Sequence, residues 1–231
     1  MKLRLLSGGA AQALVAAVAP AFQRETGFDI DGVFGAVGAM KARLLDGEPA
    51  DLLILTRALI DELAAGGHVE AASVAHIGAV RTAIAVRAAD PAPPVGNAGE
   101  LRDALRAADA IYSPDQTLST AGIHFAKVLD ALGVAGEAAG HLRTFPNGAA
   151  AMSALAASTE RQPIGCTQVT EILGTPGLTL VGVLPPEFEL ATVYTVGAAT
   201  RAAHPEAARK LTAILTSAEA QAQREQVGFG R

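Results

Sequence analysis

With 231 residues, half of them hydrophobic, the chain is long enough for one large or two small α/β domains, each with its own core. A formal charge of -5, without a Lys/Arg run or a basic patch interleaved with aromatics, excludes a nucleic-acid surface. The single cysteine, Cys166, excludes an internal disulfide and a CxxC motif, and no apolar run approaches the length of a membrane span.

The first twenty residues imitate a secretory leader: Lys2 and Arg4, an apolar stretch, then Ala17-Val18-Ala19 as a cleavage motif. Ser7-Gly8-Gly9 and Gln12 interrupt that apolar stretch, and cleavage would remove the first strand. As written the sequence predicts a cytoplasmic protein, or a periplasmic one if a leader has already been removed.

Leu3, Leu5 and Leu6 form a buried strand, Ser7-Gly8-Gly9 lets the backbone turn tightly, and a helix runs from Ala10 until Glu25-Thr26-Gly27 stops it. Such a turn aims backbone N–H groups, at the positive end of the helix dipole, beyond the sheet, where they suit an anion. An ordinary strand-to-helix turn accounts for the same residues. The stretch has neither G-x-G-x-x-G nor Gly-Lys-Ser/Thr, which argues against a dinucleotide or P-loop site.

A second strand, Phe28 to Val33, leads to Gly35-Ala36-Val37-Gly38 and a helix from about Ala39, repeating the opening device, although turn geometry alone would also explain Gly35 and Gly38. Leu52 to Leu55 is a third buried strand, followed by a helix over Leu59 to Ala65 and a Gly66-Gly67 stop. Asp51, with no second carboxylate nearby, caps or pins a turn, and His68 is a helix-end residue. Ile77 to Arg87 alternates as a strand and ends in the Pro-rich break Asp90 to Pro94. Arg81 within it either lies on a solvated face or, where the strand crosses a cleft, grips a carboxylate with its planar fork.

Beyond the break come an exposed helix (Glu100 to Ala107), a short strand (Ala110 to Ser113) and a polar loop ending in Ser119-Thr120-Ala121-Gly122, which opens a helix over Ile123 to Leu132. Those hydroxyls serve as caps, as neutral donors for an anion, or as both. Phe145 to Ala149 repeats the device a fourth time, with Asn147 as N-cap of a helix over Ala149 to Ala157. Strands follow at Pro163 to Val169, ending in polar groups before Glu171 to Leu173, and at Leu178 to Leu184. Leu190 to Ala199 pairs with Ile77 to Arg87 as a second crossing, and helices near Pro205 to Leu215 and Ala218 to Gln226 close the chain.

Alternating strands and helices predict parallel sheets that bind ligands beyond the carboxyl ends of their strands. Two small-residue helix starts on either side of the Pro-rich break place two donor groups on each side of one crevice, which suggests a clamp. The order S-G-G-A-A-Q-A-L, F-G-A-V-G-A, P-A-D-L-L-I, S-T-A-G, a late return strand and a terminal G-F resembles the type II periplasmic solute-binding proteins, in their molybdate-binding branch. The resemblance covers nearly the whole chain. It implies two Rossmann-like α/β lobes, residues 1–80 with 196–231 and residues 81–195, joined by crossing hinge strands near 80–87 and 190–197 and closing over a ligand.

Carried over by residue, the resemblance implies anion contacts from Ser7, Gly8 and Gly9, from Gly35, Val37 and Gly38, from Ser119, Thr120 and Gly122, and from Asn147 and Gly148. Gln168 stands where that branch has a late tyrosine, Val37 where it has a serine, and the first-loop serine falls nearer Gly9 unless Ser7 shifts to replace it. A tetrahedral oxyanion would lose up to three hydroxyl donors, each charge-assisted bond contributing about 1.5–3 kcal/mol. Val37 as an apolar wall, Gln168 as donor and acceptor, and Arg81 as a carboxylate clamp favour an organic acid instead. The same branch contains an isomerase acting on aconitate, so the alternative is a carboxylate isomerase with His124 or Ser7 as base.

No catalytic group, metal ligand or cofactor is assigned. The expected partners are a small anionic ligand and, for a transport role, an ABC permease. A monomer is expected, with no membrane insertion, and a regulatory role would call for a DNA-binding helix-turn-helix that this chain lacks.

Overall fold

The computed structural model describes residues 1–230. In chain order the elements are β1 (Lys2–Gly8), a 3-10 turn (Gly9–Ala11) leading into α1 (Gln12–Thr26), β2 (Asp29–Gly35), α2 (Val37–Leu45), β3 (Leu52–Thr56), α3 (Arg57–Ala65) and β4 (Ala75–Arg87). There follow α4 (Ala98–Ala107), β5 (Ala110–Pro114), α5 (Thr120–Ala131), α6 (Ala135–Ala138), β6 (Leu142–Phe145), α7 (Gly148–Ala156), β7 (Pro163–Gln168), α8 (Val169–Leu173) and β8 (Leu178–Val183). The chain ends with β9 (Ala191–Ala198), α9 (Pro205–Thr216) and α10 (Gln221–Gln226). It divides into two units, Met1–Ala79 with Thr192–Arg231 and Val80–Ala191, and passes between them within β4 and at the start of β9.

In the first unit β1 pairs in parallel with both β2 and β3, and β9 runs antiparallel to β3. Leu3, Leu5 and Leu6 of β1 and Leu52 to Leu55 of β3 are all buried, as expected of parallel strands covered on both faces. Leu14, Val15, Val18 and Phe22 form the buried stripe of α1, each contributing about 1.5–3 kcal/mol by leaving water. Gly27 ends that helix, its N–H donating to Gln23 O at 2.8 Å. Gly8 lies opposite Gly35 in the parallel register, so β1 and β2 reach their carboxyl ends level with one another. Within this unit His76 Nδ1 lies 2.9 Å from Thr195 Oγ1, tying the start of β4 to β9.

The second unit repeats the scheme. β5 pairs in parallel with β6 and β7, β4 runs antiparallel to β7, and β8 runs antiparallel to β4 with a register shift between Ile84 and Ala85. Its core gathers Ile84, Leu101, Leu105, Ile111, Phe125 and Leu129 with their neighbours. Two elements here carry no sequence signature. β6 is a four-residue strand, LRTF, with no buried residue, and α6 is a single turn, AGEA. Their periodicity is too short to stand out, and only pairing with β5 and packing on the core define them. Both α2 and α3 also start two residues earlier than their apolar spacing marks, because that spacing reports only the residues facing the core.

Asp51 has the structural role read from the sequence. Its buried carboxylate accepts the N–H groups of Arg4 and His204, each at 2.9 Å, pinning the chain before β3 to β1 and to the start of α9. Asp51→Ala strands both donors, so chemical denaturation should show a loss of about 2–3 kcal/mol. An unchanged midpoint would remove Asp51 from the framework.

Candidate functional site

In the first unit the expected residues fall on the carboxyl edge of the parallel strands. Ser7 and Gly8 end β1, Gly9 opens the 3-10 turn, Gly35 ends β2, and Val37 and Gly38 form the first turn of α2. Neither helical start is capped by a side chain: Gly8 has none, and Ala36 cannot accept. The first N–H groups of these turns therefore have no side-chain acceptor within the helix start. Ser7 is buried, and its hydroxyl donates to Gly8 O at 2.9 Å.

Gly8 is closely covered. A Cβ placed there would lie 2.8 Å from Val37 Cγ1 and 3.0 Å from Tyr194 Cε1. Tyr194, a buried residue of β9 opposite Thr56 in the register, was absent from the sequence-derived set. Its only sequence signal was an aromatic inside an apolar return strand. With Val37 it makes an apolar wall beside the first turn.

In the second unit the edge is built differently. Asp115, just after β5, accepts from Thr117 N (2.7 Å), Thr117 Oγ1 (2.6 Å) and Leu118 N (2.7 Å), and these donors, led by the Thr117 hydroxyl, hold its carboxyl below the usual range. Ser119 is the N-cap of α5 by position, but its side chain makes no capping hydrogen bond. Thr120 is the first helical residue. Gly122 serves close packing: a Cβ there would overlap the carbonyl oxygens of Pro114 and Asp115, so α5 lies directly against the loop before it.

Asn147 caps α7 as expected, its side-chain oxygen accepting from Ala150 N at 2.9 Å. The amides behind it are already engaged. The buried Glu171 carboxylate accepts the N–H groups of Gly148, Ala149 and Gln168 and the Thr167 hydroxyl, the last at 2.6 Å. Burial, the largest influence, pushes its carboxyl above the ordinary value, and the four donors oppose that. A Cβ on Gly148 would overlap both the Glu171 carboxylate and Thr167 Oγ1, so only glycine fits beside this internal anion. Nothing in the sequence signals that Glu171 folds back onto Gly148.

Gln168 ends β7 opposite Thr82 of β4, and both are buried. Thr82 Oγ1 has no hydrogen-bond partner among the described residues. Arg81, next along β4, is half-exposed and lies 3.7 Å from Glu189 Oε1. His124, a candidate base from sequence, is held by its ring: Nε2 donates to Phe188 O at 2.7 Å, which spends that nitrogen on a backbone carbonyl. Cys166 is buried, and burial pushes its thiol up. The described residues hold no cluster of three or more metal-ligating side chains and no helix long and apolar enough to cross a membrane.

Residues 3–230 match the family model described as bacterial extracellular solute-binding protein. The chain belongs to this extracellular solute-binding family. The periplasmic molybdate-binding protein of Azotobacter vinelandii superposes on this family member with a TM-score of 0.82 at 15% identity, covering 99% of both chains. The sulfate-binding protein SubI of Mycobacterium tuberculosis superposes with a TM-score of 0.75 at 19% identity, over 99% of this chain and 86% of that one. These similarities establish the type II periplasmic binding-protein fold. An aconitate isomerase from a Pseudomonas species is 30% identical over 224 residues, which is 94% of this chain and 83% of that protein.

Gly148→Ala should reduce stability by about 3 kcal/mol in denaturant titration, because the new methyl must displace a buried carboxylate. A loss below 0.5 kcal/mol would mean that Glu171 relaxes away freely. The raised Glu171 carboxyl also sets a sign. Its proton leaves the unfolded chain first, so folded stability falls as pH rises from the ordinary Glu value toward the raised one. Glu171→Gln should flatten that part of the stability-versus-pH curve, and identical slopes in both proteins would place the Glu171 value at its ordinary level.

Proposed function

We propose that this member of the solute-binding family closes its two units over a small organic di- or tricarboxylate. The observation that carries the reading is the first unit's edge, where two helical starts without side-chain caps follow strands that end level at Gly8 and Gly35. Backbone N–H groups so placed suit a carboxylate. Val37 and Tyr194 supply an apolar wall that would suit the carbon skeleton of an organic acid better than a small, fully charged oxyanion. In this reading the ligand contacts come from Ser7 to Gly9, Gly35 to Gly38, Arg81, Ser119 to Gly122 and Gln168, while the Asn147–Gly148 turn expected from the sequence is spent on Ala150 and Glu171. The strands β4 and β9 carry the hinge, and an ABC permease is the partner.

A second reading is favoured by the 30% identity to an aconitate isomerase: the same site converts a bound carboxylate by proton transfer. The structure weakens the bases named from sequence, since the Ser7 hydroxyl is bonded to Gly8 O and His124 Nε2 to Phe188 O. Binding is therefore the leading reading.

Isothermal titration with molybdate, tungstate, sulfate, citrate, trans-aconitate and tricarballylate tests it. Saturable binding of at least one carboxylate, tighter than sulfate or molybdate, is expected. Silence across the whole panel would end the proposal. Accumulation of cis-aconitate from the trans isomer in proportion to protein would put the isomerase first.

A further inference from the structure

We infer that Arg57 is a carboxylate-binding residue of the first unit, so that the ligand of the proposed site carries a carboxylate held by a guanidinium on that side. This rests on the carboxylate-binding reading above and adds a residue and a charge requirement to it. Arg57 directly follows Thr56, the last residue of β3 and the register partner of Tyr194. The Tyr194 ring in turn reaches the side of Gly8. Arg57 therefore stands on the same strand-end edge as the two uncapped helical starts.

Its position there is not explained by stability. Arg57 is the first residue of α3, where the helix dipole disfavours a cation. Its charged partner among the described residues is Asp61, one turn on, at 3.5 Å, with both side chains more than half exposed. A pair of that kind adds little. Three other arginines are more fully engaged: the Arg43 fork meets both oxygens of Glu48, Arg106 meets both of Glu137, and Arg87 combines Asp90 with the Ser158 carbonyl. Arg57 keeps donors of its fork available for a planar carboxylate.

The second unit has fewer strand-end donors to spare. Its own acids occupy its strand-end donors: Asp115 takes the amides of Thr117 and Leu118, and Glu171 takes those of Gly148 and Ala149. A guanidinium in the first unit adds to the amide donors a charge and a planar fork that match a carboxylate. Arg81 on β4 is the corresponding cation of the second unit, likewise in a loose pair, with Glu189.

The test uses titration calorimetry on the full chain with citrate, tricarballylate and sulfate, comparing wild type, Arg57→Ala and Arg57→Lys, with melting temperature as a check on folding. Arg57→Ala should weaken whichever carboxylate the wild type binds by about tenfold or more, while changing its melting temperature little and leaving any sulfate binding within about threefold. Arg57→Lys should fall between, because an ammonium keeps the charge and loses the fork. Unchanged carboxylate affinity in Arg57→Ala, or an equal loss for sulfate, overturns the role of Arg57 and leaves the site reading intact. A wild type that binds no carboxylate at all overturns the reading beneath it.

Discussion

A carboxylate taken out of water must be surrounded by donors, and Glu171 meets that demand with four. Much of the second unit is arranged around it. Gly148 must be glycine, α7 must begin beside the end of β7, and Gln168 is held through its own backbone N–H. Asp115 does the same on a smaller scale for the loop before α5. Helix starts that could receive an external anion are partly filled by the protein's own negative charges.

The first unit shares the topology and uses it in the opposite way. Its two helical starts have no side-chain caps, and the groups around them are Val37, Tyr194 and Arg57 rather than carboxylates. The contrast divides the proposed work: one unit offers amide donors, an apolar wall and a cation, and the other offers Ser119, Thr120, Gln168 and Arg81 on a framework stiffened by internal anions. Molybdate- and sulfate-binding proteins share the fold at 15% and 19% identity, so the fold by itself does not fix the ligand. The residues at the strand ends differ between the two halves of this one chain.

Much of the fold was legible in the sequence because its signals are local. Unbroken apolar runs such as Leu52 to Leu55 mark buried parallel strands, Gly27 marks a helix end, and Asn147 marks a cap, each through the conformation of a few adjacent residues. Short β6 escaped notice because four half-exposed residues carry no period. The small-residue turns at Ser7 to Gly9 and Gly35 to Gly38 were readable as helix starts for the same local reason, and they do lie side by side.

Glu171, Tyr194 and Arg57 were not readable as parts of a site. Glu171 lies more than twenty residues from the Gly148 amide it accepts, and Tyr194 more than 180 from Gly8. Arg57 carries no signal in the sequence, and only the pairing of β3 with β1 and β9 places it on that edge. The sequence by itself determined the alternation of strands and helices, the two-part organisation and the turns that supply amides, since backbone conformation responds to near neighbours. Only the tertiary structure decided which amides already serve an internal carboxylate and which charges share an edge, because hydrogen bonding and electrostatics act through space and depend on what the fold brings within a few ångströms.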